Sequence, residues 1–150
     1  MKTGLVIGKF YPPHKGHKYL IGTAEKAVDR LIIIVCERDD QKISGDLRAK
    51  WLRAIHPHAE VLIAEDIKKD NDPYAWAEYI KKLLGLTPDV LFTSEDYGER
   101  YAGILGSRHT MVDRERTMVP ITATEIRENP LEYKEYLEPC VYEYFLKNRN

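Results

Sequence analysis

His14 and His17 flank Gly16 in the stretch Gly8-Lys9-Phe10-Tyr11-Pro12-Pro13-His14-Lys15-Gly16-His17, where the sequence gathers side chains able to handle anions. Residues three apart share one side of a helical turn, so both imidazoles can face one ligand if a helix starts here. A helix N-terminus adds unpaired backbone N–H groups and the positive end of the macrodipole, which draw negative charge. Gly16 leaves room for a ligand to approach the backbone, and Lys9 brings a fixed cation. An imidazole that titrates near neutrality can take up a proton where phosphate favours it. The chemistry expected is a phosphate site with movable positive charge. Against it stands the plainer reading of a histidine pair that only caps a helix, but loop, spacing and a preceding apolar run agree with a site. The stretch is neither a P-loop nor a G-x-G-x-x-G fingerprint.

A second set lies near the C-terminus, in Ile121-Thr122-Ala123-Thr124-Glu125-Ile126-Arg127. Hydroxyls at a helix N-terminus and an arginine one turn on can grip phosphate oxygens. Taken alone, the segment is an ordinary helix cap.

The elements that must position these residues alternate. Leu5–Ile7 is a first strand, and apolar residues at helical spacing follow from about Gly16 to Arg30. Leu31–Cys36 is a continuous, mostly β-branched run, as in a strand covered on both faces. Leu47, Trp51, Leu52 and Ile55 mark a second helix, ended by Pro57. A third strand is expected at Val61–Ile63 and a charged loop from Asp66 to Asp72. Asp72-Pro73 starts a third helix, with Asp as N-cap and Pro at its first position, and Gly85 stops it. Val90–Phe92 is a fourth strand, a helix carries Tyr97 and Tyr101, and His109–Val112 is a fifth short strand. Alternation of this kind predicts an α/β, Rossmann-like, doubly wound parallel sheet of five strands with helices on both faces. Ligands of such folds bind at the carboxyl ends of the strands. The tail departs from the alternation: a short helix opens near Ile121, and Pro130 and Pro139 interrupt two further small ones.

At 150 residues, with no internal repeat, the chain is expected to form one domain over residues 1–150. A formal net charge of −1 and the lack of a basic stripe exclude a general nucleic-acid binder. No apolar run is long enough to span a membrane. Met1-Lys2 leads straight towards the first strand, so a cytoplasmic protein without a leader is expected. Cys36 and Cys140 lack metal-ligand spacing and are read as reduced thiols. His56, His58 and His109 show no ligand spacing either and are read as surface or packing residues.

Gly8-Lys9-Phe10-x-Pro12-x-His14-x-Gly16-His17 resembles the HxGH signature of the nucleotidyltransferase superfamily, which includes adenylyltransferases and cytidylyltransferases. Residues 121–127 are similar to its ISSTxIR signature, with Thr122 and Ala123 in place of the two serines and Thr124 and Arg127 matching directly. Within the superfamily the first motif resembles nicotinamide mononucleotide (NMN) adenylyltransferases. Val112-Asp113, Arg116 and the run from Pro120 to Arg127 look closest to the adenylyltransferase domain of the bifunctional bacterial NAD-synthesis regulators. The kinase and DNA-binding parts of those proteins have no counterpart in this sequence.

The resemblance implies transfer of the adenylyl group of ATP to NMN, giving NAD and pyrophosphate by direct in-line attack, with Mg2+ accompanying ATP and no metal ligands from the protein. It implies catalytic roles for Lys9, His14, His17 and Arg127. ATP would be bound by Gly8, Lys9, Phe10, His14, Gly16, His17, Tyr97, Thr122, Thr124 and Arg127, and NMN by Tyr11, Arg48 and Trp76. Three of these assignments have a structural alternative. Trp76 shares a face with Ile80 and Leu83 and is equally a core residue. Arg48 is equally a solvated helix residue, and the segment of Tyr97 is equally explained by Ser94 as a helix cap. Other acceptors remain open, among them phosphopantetheine, glycerol phosphate and riboflavin phosphate, as does a non-catalytic nucleotide sensor. Similar enzymes often assemble, so a homo-oligomer is open as well.

Overall fold

A computed structural model describes residues 1–65 and 72–149 of the chain. Its elements run β1 (Thr3–Gly8), α1 (Lys15–Ala27), β2 (Arg30–Glu37), α2 (Gly45–Ile55), β3 (Glu60–Glu65), α3 (Pro73–Leu84), β4 (Val90–Thr93), α4 (Gly98–Leu105), β5 (Arg108–Met111), α5 (Ala123–Glu128) and α6 (Pro139–Lys147), with a 3-10 turn at Lys134–Tyr136. The charged loop expected from Asp66 lies, up to residue 71, outside the described residues.

The five strands form one parallel sheet in the order β3-β2-β1-β4-β5. The chain winds outward from β1 through β2 to β3, then crosses back to build β4 and β5 on the other side. The switch point therefore lies between β1 and β4, where doubly wound sheets open a crevice at their carboxyl edge. Leu31 to Val35 of β2 are all buried because helices cover both faces. Val6, Ile33 and Phe92 pack with Ile21 of α1 and Leu52 of α2, while Leu5, Ile34 and Leu91 pack with Ile80 of α3 and Leu105 of α4.

Boundaries differ from the sequence reading where backbone partners decide them. The helical run is expected to about Arg30, yet α1 stops at Ala27, because Asp29 N–H and Arg30 N–H both bond the Lys2 carbonyl, at 2.8 and 3.1 Å, and carry the chain into β2. Pro139 opens α6 instead of interrupting it, a position where its missing N–H leaves nothing unpaired. The tail is seated by a third apolar cluster, in which Ile126 of α5 and Val141 of α6 meet Trp51 of α2 and Ile43 before it. That seat brings the start of α5 against the loop after β1.

Candidate functional site

A cavity of about 690 Å³ opens at the carboxyl edge of the sheet. Gly8, Lys9, Phe10 and Tyr11 after β1 form its floor and one wall; Cys36, Arg38, Ala64 and Glu65 continue it across the ends of β2 and β3. Trp76 and Tyr79 of α3, Tyr97 and Tyr101 at α4, and Thr124 and Arg127 of α5 close the sides. A smaller cavity of about 160 Å³ adjoins it, lined by His14, Gly16, Glu95, Asp113 and Arg116 among others. The two share Ile7, Gly8, Phe10, His17, Thr93 and Tyr97.

The histidines form a capping box made of imidazoles. His14 is the N-cap of α1, and its Nδ1 accepts from Gly16 N–H at 3.0 Å and His17 N–H at 3.4 Å. His17 Nδ1 accepts in return from His14 N–H at 3.1 Å. The rings stack at 3.7 Å and 24°, and the Phe10 ring meets His17 edge-on at 4.9 Å. An accepting Nδ1 places the ring proton on Nε2, so each imidazole is a neutral donor. His14 is only 4% exposed. Burial, aided by the charge of Arg116, lowers its pKa to about 4. Burial, then His14 and Arg116, hold His17 well below the usual histidine value. The expectation of movable positive charge is thereby corrected: at neutral pH both rings act as dipoles, and fixed cations must come from elsewhere.

Gly16 lines the smaller cavity, and its lack of a side chain has a second reason. A Cβ there would lie 2.7 Å from Cε1 of His14. The space is taken by the histidine ring folded back over the first turn, and only glycine allows that fold. Gly98 serves the opposite rim in the same way: its Cβ would lie 2.1 Å from Thr93 Oγ1 and 2.3 Å from His109 Nε2, two atoms hydrogen-bonded at 2.7 Å.

Lys9 and Arg127 reach the large cavity as exposed cations. Arg127 donates to the Tyr11 carbonyl at 2.7 Å and to Thr124 Oγ1 at 3.3 Å, with its guanidinium 5.1 Å from the centre of the Tyr11 ring. Tyr11 is braced further by its hydroxyl, which accepts from Lys42 N–H at 2.8 Å. Thr122 does not line either cavity. Its hydroxyl accepts from Glu125 N–H at 3.2 Å and donates to the Glu125 carboxylate at 2.9 Å. It is the N-cap of α5, and the hydroxyl that faces the cavity is that of Thr124.

Arg48 requires the largest correction. It is 0% exposed and lines neither cavity. Its guanidinium donates to the carbonyls of Ile43 at 3.1 Å, Cys36 at 3.1 Å and Lys9, and to Gln41 Oε1 at 2.5 Å. Burial lowers its pKa, and Glu37 works against that shift. These acceptors and a fifth, the Ser44 carbonyl at 3.3 Å, come from the ends of β1 and β2 and the loop between β2 and α2, so Arg48 fastens the backbone of the cavity wall.

Trp76 has surface in both the core and the cavity. It is half-buried, packs with the apolar cluster of α3 and α4, and lies 5.0 Å from the Tyr101 ring, yet it lines the large cavity. Tyr97 is 55% exposed, borders both cavities and stacks edge-on with Tyr101 at 5.2 Å. Arg38, Glu65, Tyr101 and Arg116 are wall residues to which sequence reasoning gave no role. Arg116 lay in the run that carried the family resemblance, and its placement depends on backbone at positive φ that no local pattern marks.

The sequence matches the cytidylyltransferase-like family over residues 5–129. It is 33% identical to the trifunctional NAD biosynthesis/regulator protein NadR of Escherichia coli K12, an alignment covering 96% of this chain and 40% of that protein. It is 29% identical to the nicotinamide-nucleotide adenylyltransferase of Methanocorpusculum labreanum over 63% of this chain and 59% of that one. The chain thus spans less than two thirds of the length of these relatives. Among solved structures, a NadR protein in complex with NAD and AMP-PNP superposes with a TM-score of 0.68 over 90% of this chain and 44% of that one, at 21% identity, a likeness of fold.

Proposed function

The chain belongs to the cytidylyltransferase-like family, and we propose that it transfers the adenylyl group of ATP to nicotinamide mononucleotide, giving NAD and pyrophosphate. The observation that carries this reading is one cavity with two kinds of lining: hydrogen-bond donors and cations from His17, Lys9 and Arg127, and the aromatic side chains of Trp76 and Tyr101. A flat aromatic suits a flat cationic ring such as nicotinamide, through stacking and cation–π attraction.

A phosphate oxygen of NMN attacks the α-phosphorus of ATP. The new O–P bond forms as the bond to the bridging oxygen breaks, and that bond's electron pair leaves with pyrophosphate. The attacking phosphate is already ionised, so no general base is required. The obstacle is bringing two anions together, and positioning with charge stabilisation overcomes it. Lys9 and Arg127 offset the charge. The Nε2–H groups of His14 and His17 donate to phosphate oxygens without adding charge of their own. Arg48 and Tyr11 hold the loop that carries Lys9. Mg2+ bound to the nucleotide phosphates would draw further electron density from the reacting phosphorus. Among the described residues no group of three or more His, Cys, Asp or Glu is placed to hold a metal, and the reading has the ion carried by ATP.

The test is incubation with Mg-ATP and a panel of acceptors comprising NMN, phosphopantetheine, glycerol phosphate and riboflavin phosphate, followed by assay of pyrophosphate. NAD and pyrophosphate in equal amounts from NMN are expected. Pyrophosphate only with another acceptor, or ATP binding without turnover, overturns the reading.

A further inference from the structure

The head of α4 is held by the neighbouring strands instead of by a cap of its own. Tyr97 occupies the N-cap position and makes no side-chain hydrogen bond to the first turn. Before it comes a tight turn pinned by Thr93, whose Oγ1 donates to the Glu95 carbonyl at 3.2 Å and accepts from Glu95 N–H at 3.3 Å. Gly98 N–H bonds the same carbonyl at 3.1 Å. Thr93 Oγ1 also lies 2.7 Å from Nε2 of His109 on β5. His109 pairs with Leu91 in the parallel ladder, so its half-buried ring stands on the face that Leu91 and Thr93 share and reaches the next residue of that face.

A hydroxyl has one proton and two lone pairs. Here the proton goes to the Glu95 carbonyl and one lone pair to Glu95 N–H. The contact to His109 is then satisfied only when Nε2 carries a proton and donates it to the second lone pair. The backbone of α4 rests on this pair, since Gly98 has no room for a Cβ beside either atom. Tyr97, one residue earlier, borders both cavities, whereas His109 lines neither. We infer that His109 is a positioning residue for the nucleotide: by donating to Thr93 it fixes the turn at residues 93–98 and so sets the Tyr97 ring at the edge where the two cavities meet. The inference rests on the nucleotidyl-transfer reading but not on the acceptor. A histidine that only packs the sheet edge would leave ligand affinities alone or lower them together.

Calorimetric titration with Mg-ATP and with NMN, each alone, tests it without turnover. His109→Leu removes the donor and is expected to weaken Mg-ATP by about 3- to 10-fold, the loss of one neutral hydrogen bond. NMN affinity should stay as in the parent. His109→Gln, which offers an amide N–H in place of Nε2, should restore parental ATP binding. Gly98→Ala should weaken ATP as well, because its Cβ parts the pair without removing a polar atom. Added to Thr93→Val, His109→Leu should cost nothing further, since the bond is already gone. Nitrogen spectra of the parent with labelled histidine should show a proton on Nε2 of His109. Parent-like ATP binding by His109→Leu overturns the inference. So does an equal loss for ATP and NMN, a folded His109→Gln without rescue, or a neutral His109 ring protonated on Nδ1. Should His109→Leu fail to fold, the spectra and Gly98→Ala decide, and parent-like ATP binding by Gly98→Ala counts against it. A parent that does not bind Mg-ATP sinks the nucleotidyl-transfer reading itself; a parent that binds it beside variants that bind it equally well sinks this inference alone.

Discussion

The heads of α1 and α5 both carry a reciprocal capping box, and they use it in opposite ways. At α1 the capping groups are His14 and His17 themselves, stacked and neutral, so the rings that close the helix through Nδ1 are the rings offered to a ligand through Nε2. At α5 the cap is Thr122 with Glu125, and the residues offered to the cavity, Thr124 and Arg127, are separate and exposed. Folding and function share side chains at the first helix and are divided among neighbours at the second. Single substitutions should therefore mix the two effects at α1 and separate them at α5.

The largest effect is expected at α1. His17→Ala should slow the proposed adenylyl transfer by about 100- to 1,000-fold, as loss of one preorganised donor does. It should also cost roughly 1 kcal/mol of stability by opening half the cap. Thermal melting beside steady-state kinetics reads both, and a folded variant with near-parental turnover would remove the histidine from the mechanism. At α5, Arg127→Lys keeps charge but loses the planar fork. A rise of about tenfold in KM for ATP, with melting unchanged, is expected from losing one charged hydrogen bond; kinetics identical to the parent would reduce Arg127 to a brace for Tyr11. Thr122→Ala should do the reverse, lowering stability by about 1 kcal/mol with little change in rate. A large loss of kcat there would erase the division drawn at α5.

The smallest effect expected is an absence of change near neutrality. With His14 held at about 4 and His17 also lowered, neither ring should change charge between pH 7 and 8. Resonances of the two imidazoles followed by NMR should stay flat there, and His14 should titrate near 4. The folded state favours the neutral ring, so the stability it contributes is complete above about pH 6.5 and is lost as pH falls towards 4. A midpoint near 6.5 for His14 would restore movable charge to the site.

The sheet was legible because its signal is local: Leu31–Cys36 reads as a strand covered on both faces, and strand–helix alternation leaves few topologies. Lys9, His14, His17, Thr124 and Arg127 were legible as a group because each lies at an element end that the fold turns to one edge. Arg48 was misread for the opposite reason. Its partners are carbonyls of residues 9, 36 and 43, and nothing in the spacing of α2 shows that those chain ends converge on it. The charge state of the histidines was hidden likewise, since it depends on where Nδ1 points, and that follows from the path of the loop. Trp76 defeated a choice between core and cavity because a large indole at the sheet edge has surface for both.

The ring of His14 alters where α1 ends in an electrical sense. Its Nδ1 draws on the amides at the head of the helix, and Nε2 hands on a proton from the far side of the same aromatic plane. The helix is thus extended by the width of an imidazole, and its donor polarity is relayed instead of being met directly by a ligand. An anion bonded at Nε2 makes Nδ1 a stronger acceptor, which tightens the first turn in response. Fraying of that turn and release of an anion then become two aspects of one event.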